Sequence, residues 1–218
     1  MKFFIDTANL QEIEEAAALG ILDGVTTNPS LMAKEGIKGN QAIYQHYKEI
    51  CNLVDNNVSA EVISTDYAGI LREAELLAAI DAKIVVKVPM IREGVKAIKY
   101  LSSQGVRTNC TLVFSAGQAL VAAKAGATYV SPFAGRLDDI SADGMALLGQ
   151  IVEIYDNYGF ATEVLGASIR HPMHIIEAAE MGVDVITAPL KALEALFLHP
   201  LTDIGLEKFL ADYKKSQS

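Results

Sequence analysis

Tryptophan is absent from the 218 residues, and cysteine occurs only at Cys51 and Cys110. Two distant thiols match no metal-ligand spacing, so neither a disulfide framework nor a thiolate zinc site organises this chain. A reducing compartment, the cytoplasm, suits that usage. Basic residues are also scarce: 18 Lys and Arg stand against 27 Asp and Glu, a formal net charge of -9. That balance opposes a broad cationic face for nucleic-acid phosphates, so an anionic ligand has to meet a local pocket. No apolar run approaches the roughly 18 residues needed to span a bilayer. Asp6 interrupts the N-terminal apolar stretch too early for a signal sequence. The expectation is a soluble protein that uses neither membrane nor nucleic acid. Missing too are a Gly-x-Gly-x-x-Gly fingerprint, a P-loop, a low-complexity segment and a linker, which leaves residues 1–218 as one domain.

What is present is an alternation of short apolar runs and amphipathic stretches. Phe3 to Asp6 reads as a strand, after which Asn9 can cap a helix through Leu10, Ile13 and Ala17 that stops at Gly20. The unit recurs as Gly24 to Thr27 with a helical stretch to Asn52, Val58 to Ile63 with Tyr67 to Ile80, and Ile84 to Val88 with Glu93 to Gln104. It continues as Arg107 to Leu112 with Ala116 to Ala125, Tyr129 to Pro132 with Gly144 to Tyr158, Glu163 to Ala167 with Pro172 to Met181, and Val185 to Thr187 with Leu190 to Phe197. Helical segments carry one-sided stripes, such as Tyr67, Ile70, Leu71, Ala74, Leu77 and Ala78, whereas the strands are almost continuously apolar. Strands covered on both faces by crossover helices have that composition, which predicts a parallel sheet. Eight units predict an α/β fold closed into a (β/α)8 TIM barrel; an open doubly wound sheet is the alternative. Leu201 to Tyr213 remains as an extra helix followed by a polar tail, Lys214 to Ser218, able to pack on its own barrel or to reach a neighbour.

Barrel chemistry sits at the C-terminal ends of the strands. There the sequence places Asp6, Thr27 and Asn28, Glu61, Lys87, Asn109 and Thr111, Ser131, and Ser168 with Arg170 just beyond. Residues two apart share a strand face, so Asn109 points with Thr111, and Lys87 with Val85 and Lys83. Lys83 would then lie at the opposite mouth. An ammonium set among Ile84, Val85, Val86, Val88 and Pro89 has its charged form disfavoured, and the free amine is a nucleophile for ketones. The resulting iminium is an electron sink that lets an adjacent carbon–carbon bond break without a metal. A purely structural ion pair of Lys87 with Asp6 or Glu61 is the competing account. Asp6 could instead cap the following helix, although Thr7 and Asn9 are available for that task; as a carboxylate facing the iminium it would serve as the base for retro-aldol cleavage. Glu61 could hold the water of imine formation and hydrolysis.

A second cluster joins Ser131-Pro132-Phe133-Ala134-Gly135-Arg136 to Ser168-Ile169-Arg170. Guanidinium forks match phosphate oxygens, so these residues form a phosphate site, or else Arg136 simply pairs with Asp138 or Asp139 at the surface. His171 and His174 have metal-like spacing but lack a third ligand, so no metal is expected.

Asp23-Gly24-Val25-Thr26-Thr27-Asn28-Pro29-Ser30, Lys87-Val88-Pro89, Asn109-Cys110-Thr111-Leu112-Val113-Phe114-Ser115 and Ser131-Pro132-Phe133-Ala134-Gly135-Arg136 together resemble the transaldolase family, with similarity along essentially the whole chain. The length resembles the small, fructose-6-phosphate aldolase-like subfamily. The resemblance implies Lys87 as the Schiff-base lysine, Asp6 as acid/base, and Glu61 with Thr111 on the catalytic water. It implies Asn28, Asn109 and Ser131 on the dihydroxyacetone unit, and Arg136, Ser168 and Arg170 on the phosphate. Fructose-6-phosphate aldolase carries glutamine and tyrosine where this chain has Glu61 and Phe133, which favours transaldolase. The implied reaction converts sedoheptulose 7-phosphate and glyceraldehyde 3-phosphate to erythrose 4-phosphate and fructose 6-phosphate in the non-oxidative pentose phosphate pathway, without a cofactor. A homo-oligomer, a decamer of two pentamers, is also implied. The alternatives are the aldolase and a sugar-phosphate binding protein that has lost catalysis.

Overall fold

The computed structural model describes residues 1–217. Eight parallel strands, β1 (Lys2–Asp6), β2 (Gly24–Thr26), β3 (Asn57–Glu61), β4 (Ile84–Pro89), β5 (Thr108–Val113), β6 (Tyr129–Pro132), β7 (Glu163–Gly166) and β8 (Val185–Ala188), pair in chain order, and β8 returns to β1 to close a barrel. Around it run α1 (Leu10–Ala18) after β1, and α2 (Pro29–Lys34) with α3 (Asn40–Leu53) after β2. Next come α4 (Tyr67–Ala78), α5 (Arg92–Ser103) and α6 (Ala116–Ala125) after β3, β4 and β5. Then α7 (Ala134–Asp138) and α8 (Gly144–Tyr158) follow β6, and α9 (Pro172–Glu180) follows β7. Finally α10 (Leu190–Glu194), a 3-10 turn and α11 (Pro200–Ser216) follow β8. The closed (β/α)8 barrel predicted from the eight-fold alternation is the observed fold, and the open sheet is excluded.

Two apolar compartments hold it together. Between sheet and helices lie the outward strand residues, such as Ile5, Val25, Val86 and Ile186, with helix residues such as Ile13, Ile50, Ile70 and Ile98. Inside the barrel a separate cluster of Phe4, Val85, Tyr129, Leu165, Ala167 and Val185 fills the lumen. Full burial of each large side chain contributes about 1.5–3 kcal/mol. Phe4 has room because β2 begins with Gly24, where a Cβ would meet the Phe4 ring and the Asn57 carbonyl at 2.7 Å. This plug separates the barrel's two mouths. At the N-terminal mouth Lys2 pairs with Glu163 at 2.7 Å, and Arg107 bonds to Asn57. Lys83 donates to the Cys51 carbonyl at 2.7 Å, in the last turn of α3, where a cation complements the helix end. Both free thiols are sealed in the outer compartment and fully buried, and burial pushes Cys51 up to about 11 and Cys110 up to about 12.

Three local features depart from the sequence expectation. The stretch between β2 and Asn52 is two helices rather than one, because Gly36 and Gly39 take positive φ and break the first after Lys34. A five-residue helix, α7, occupies the Ala134-Gly135-Arg136 segment. And α11 extends through Lys214, Lys215 and Ser216, residues expected to be tail, with the two lysines in its last turn; Ser218 lies outside the described residues. No residue of α11 is buried, so it does not pack on its own barrel. Among the described residues no helix is long and apolar enough to cross a membrane.

Candidate active site

The C-terminal mouth opens on a cavity of about 100 Å3 lined by seven of the expected residues: Asp6, Asn28, Lys87, Ser131, Phe133, Arg136 and Ser168. Register explains the convergence. Glu61 of β3, Lys87 of β4 and Asn109 of β5 are lateral partners, so their inward side chains share one rung above the Phe4–Val85 plug. Lys87 is buried, and its Nζ lies 3.0 Å from Glu61 Oε2 while donating to the Thr27 carbonyl at 3.2 Å. The carboxylate at that distance is the counter-charge of the amine.

Asp6 does not cap α1. Asn9 does, accepting from the Glu12 amide, and Thr7 accepts from the Asn9 amide. The Asp6 carboxylate instead accepts from Thr26 Oγ1 at 2.8 Å, and Thr187 Oγ1 lies 2.7 Å behind Thr26. Withdrawal from water holds the Asp6 carboxyl above the ordinary aspartate value, against the opposing pull of Lys87 and of the Thr26 hydroxyl.

On the other side, Ser131 Oγ donates to Asn109 Oδ1 at 2.7 Å, and Asn109 Nδ2 reaches Ser59 Oγ at 3.3 Å, which orients the amide. Thr111 is buried one position above, its Oγ1 without a hydrogen-bond partner among the described residues. Its strand is bulged: Leu112 adopts φ 60° and the pairing with β6 shifts register between Cys110 and Val113. Asn28 caps α2 by accepting from the Leu31 amide, which leaves its NH2 group to donate.

The two loops of the expected anion cluster are locked together at Gly135. A Cβ there would come within 2.2 Å of the Ser168 carbonyl, and Gly135 O accepts from Arg170 Nη2 at 3.3 Å. Ser168 holds a left-handed φ of 61° at this junction. The surface pairing considered for Arg136 falls to Arg170 instead, which meets Asp139 at 2.6 Å. Arg136 stacks over the Phe133 ring at 5.0 Å and makes no ion pair among the described residues, so its guanidinium is free to face an anion. Asp138 turns to His174, 3.5 Å away, and to the Gly144 amide.

Sequence reasoning missed Thr26, Thr187, Ser59 and Tyr47. The first three are inward residues that only strand parity could mark. Tyr47, from α3, places its hydroxyl 3.2 Å from Thr27 Oγ1 and accepts from the Glu61 amide at 3.3 Å, bracing the backbone on either side of Lys87's partners.

A buried amine flanked by two carboxylates at the C-terminal mouth of a parallel barrel defines a class of barrel equipped for amine-based carbonyl chemistry. Within that class the chain belongs to the transaldolase/fructose-6-phosphate aldolase family, whose model matches residues 3–218. It is 71% identical over 215 residues to a probable transaldolase of Cytophaga hutchinsonii, with 99% of each chain covered. It is 69% identical to a probable transaldolase of Phocaeicola vulgatus and 62% identical to one of Flavobacterium psychrophilum, again covering 99% of each.

Proposed function

We propose that this chain is a transaldolase that carries a dihydroxyacetone unit on Lys87 from a ketose phosphate to an aldose phosphate. The observation that carries the reading is the Lys87 amine, buried in the cavity and 3.0 Å from the Glu61 carboxylate. Glu61 accepts the ammonium proton, and the free amine adds to the C2 carbonyl. Glu61 and the Thr111 hydroxyl, unpartnered among the described residues, then assist loss of water to form the iminium. Asp6, steadied by Thr26, takes the proton from the C4 hydroxyl; the C3–C4 bond breaks, its electrons flow to the iminium nitrogen, and an aldehyde leaves. The enamine attacks the acceptor aldehyde by the same path reversed, and water releases the new ketose.

Asn28, Asn109 and Ser131 bind the hydroxyls of the three-carbon unit, and Arg136, Ser168 and Arg170 hold the phosphate. Residues 1–218 act as one cytoplasmic domain. The exposed apolar residues of α11, including Leu201, Ile204, Phe209 and Leu210, cover a neighbouring subunit in a homo-oligomer, a decamer by family resemblance.

Borohydride reduction in the presence of fructose 6-phosphate tests the covalent step: mass spectrometry should locate a dihydroxyacetone- or ketose-sized adduct on Lys87. Absence of an adduct in folded protein overturns the mechanism. Glu61 and Phe133 favour transfer over simple aldolysis, so turnover of fructose 6-phosphate should depend on erythrose 4-phosphate. Equal turnover without the acceptor would make the protein an aldolase.

A further inference from the structure

Glu61 faces two spaces. Its carboxylate touches Lys87, yet Glu61 does not line the cavity that Lys87 lines. It lines a second cavity, of about 60 Å3, outside the end of β3 and bounded by Asn40, Ile43 and Tyr44 of α3 and by Glu73 and Leu77 of α4. Asn40 and Ile63 at its rim are exposed, whereas Leu77 at its base is buried. The Glu61 side chain is 15% exposed against 6% for Lys87. A pocket of this size holds water, which needs only about 10–15 Å3 and a few polar partners. One partner is at hand: Glu61 itself lines the cavity, with its Oε2 turned inward and buried against Lys87. The outer wall is fixed, because Glu73 accepts from the Ile63 amide at 2.6 Å, from the Ser64 amide at 3.1 Å and from the Ser64 hydroxyl.

We propose that this lateral cavity is a water passage, separate from the substrate mouth, through which the water of imine formation and hydrolysis leaves and enters by way of Glu61. The proposal rests on the Schiff-base reading above. When the carbinolamine collapses, its C–O bond breaks, Glu61 gives the departing hydroxide a proton, and one water leaves. In reverse, a water oxygen bonds to the iminium carbon and Glu61 takes the proton. A sugar phosphate filling the small cavity at the mouth blocks that route just when water has to move, and the side passage stays open. Asn40, Ile43 and Ile63 are therefore positioning and access residues, remote from the reacting carbon.

The test is exchange of the C2 carbonyl oxygen of fructose 6-phosphate with oxygen-18-labelled water, measured alongside single-turnover aldehyde release and borohydride trapping. Lys87→Met supplies the uncatalysed background. Two plugged variants, Ile43→Phe within the passage and Ile63→Trp at its exposed rim, guard against a folding defect in either one. With the expelled water then held beside Glu61 and returned to the same carbon, both should keep KM, adduct yield and single-turnover cleavage, while exchange per cleavage event falls by about tenfold, equivalent to ~1.4 kcal/mol on the escape of that water. Unchanged exchange per cleavage in both folded variants would overturn the passage and leave the Schiff base standing. Wild-type protein that forms no adduct would instead remove the Schiff-base reading, and this inference with it.

Discussion

Lys87 Nζ and Glu61 Oε2 sit 3.0 Å apart on lateral partners of adjacent strands, with both side chains largely withdrawn from bulk solvent. Each charge makes the other tolerable. Removing one side of such a pair costs about 3–5 kcal/mol, because the remaining charge is stranded. Lys87→Met should therefore lose roughly 10^4-fold or more in turnover and also unfold at lower denaturant. The double variant Lys87→Met/Glu61→Gln should regain much of that stability but no activity. Urea unfolding of the two variants checks the coupling; equal midpoints would mean that the pair is too well solvated to matter.

Asp6 predicts an opposition between stability and activity. Its folded value is raised, above all by burial, so the folded chain holds the proton more tightly than the unfolded chain. The carboxyl's contribution to stability is then full below the unfolded value near 3.8 and lost as pH rises through the folded value. At neutral pH the carboxylate is a net cost. Asp6→Asn should melt higher than wild type at pH 7, each 1 kcal/mol appearing as about 2–4 °C, with the gap closing in acid. Turnover should fall by about 10^2- to 10^4-fold. Melting curves at the two pH values measure the first effect and steady-state rates the second.

Arg136 and Arg170 should respond unequally. Arg136 lines the cavity and meets no carboxylate among the described residues, whereas Arg170 is held by Asp139 and the Gly135 carbonyl. Loss of a hydrogen bond to a charged group costs about 1.5–3 kcal/mol, so Arg136→Ala should raise KM for phosphorylated donors by about ten- to a hundredfold. Arg170→Ala should raise it less. Comparing each variant on fructose 6-phosphate and on unphosphorylated fructose isolates the phosphate contribution.

The exposed stripe on α11 carries a prediction about assembly. Phe209 is 72% and Leu201 69% exposed, an arrangement that a lone subunit gains nothing from. Phe209→Asp together with Leu201→Asp should lower the sedimentation coefficient without altering the circular dichroism of the barrel. An unchanged coefficient would assign the subunit contacts to another face.

The barrel was legible because its evidence is repetitive: each unit states the same apolar strand, turn and striped helix, and one misread boundary changes nothing. The polar strand ends were legible through parity, which put Lys87 above Val85 and Asn109 with Thr111. The helix break at Gly36 and Gly39 was hidden inside a stretch that is helix on both sides. Thr26 and Thr187 escaped notice because a β-branched residue in a strand is the commonest way to build one; their hydroxyl relay to Asp6 exists only once the barrel closes and brings β8 beside β1. The exchange of partners between the arginines likewise depends on two loops meeting at Gly135, a contact with no local signature. The bulge at Leu112 gives no sign in composition at all.

Burial of both thiols in the layer between sheet and helices turns the chain into its own reporter. Neutral and sealed at physiological pH, Cys51 and Cys110 are poor targets for alkylating agents and oxidants while that layer is shut. Modification therefore marks an opening event, Cys51 on the buried face of α3 and Cys110 on β5 answering for different sectors of the ring. Pulse alkylation followed by peptide mapping would time how each sector breathes, with no label introduced and no residue of the catalytic mouth disturbed.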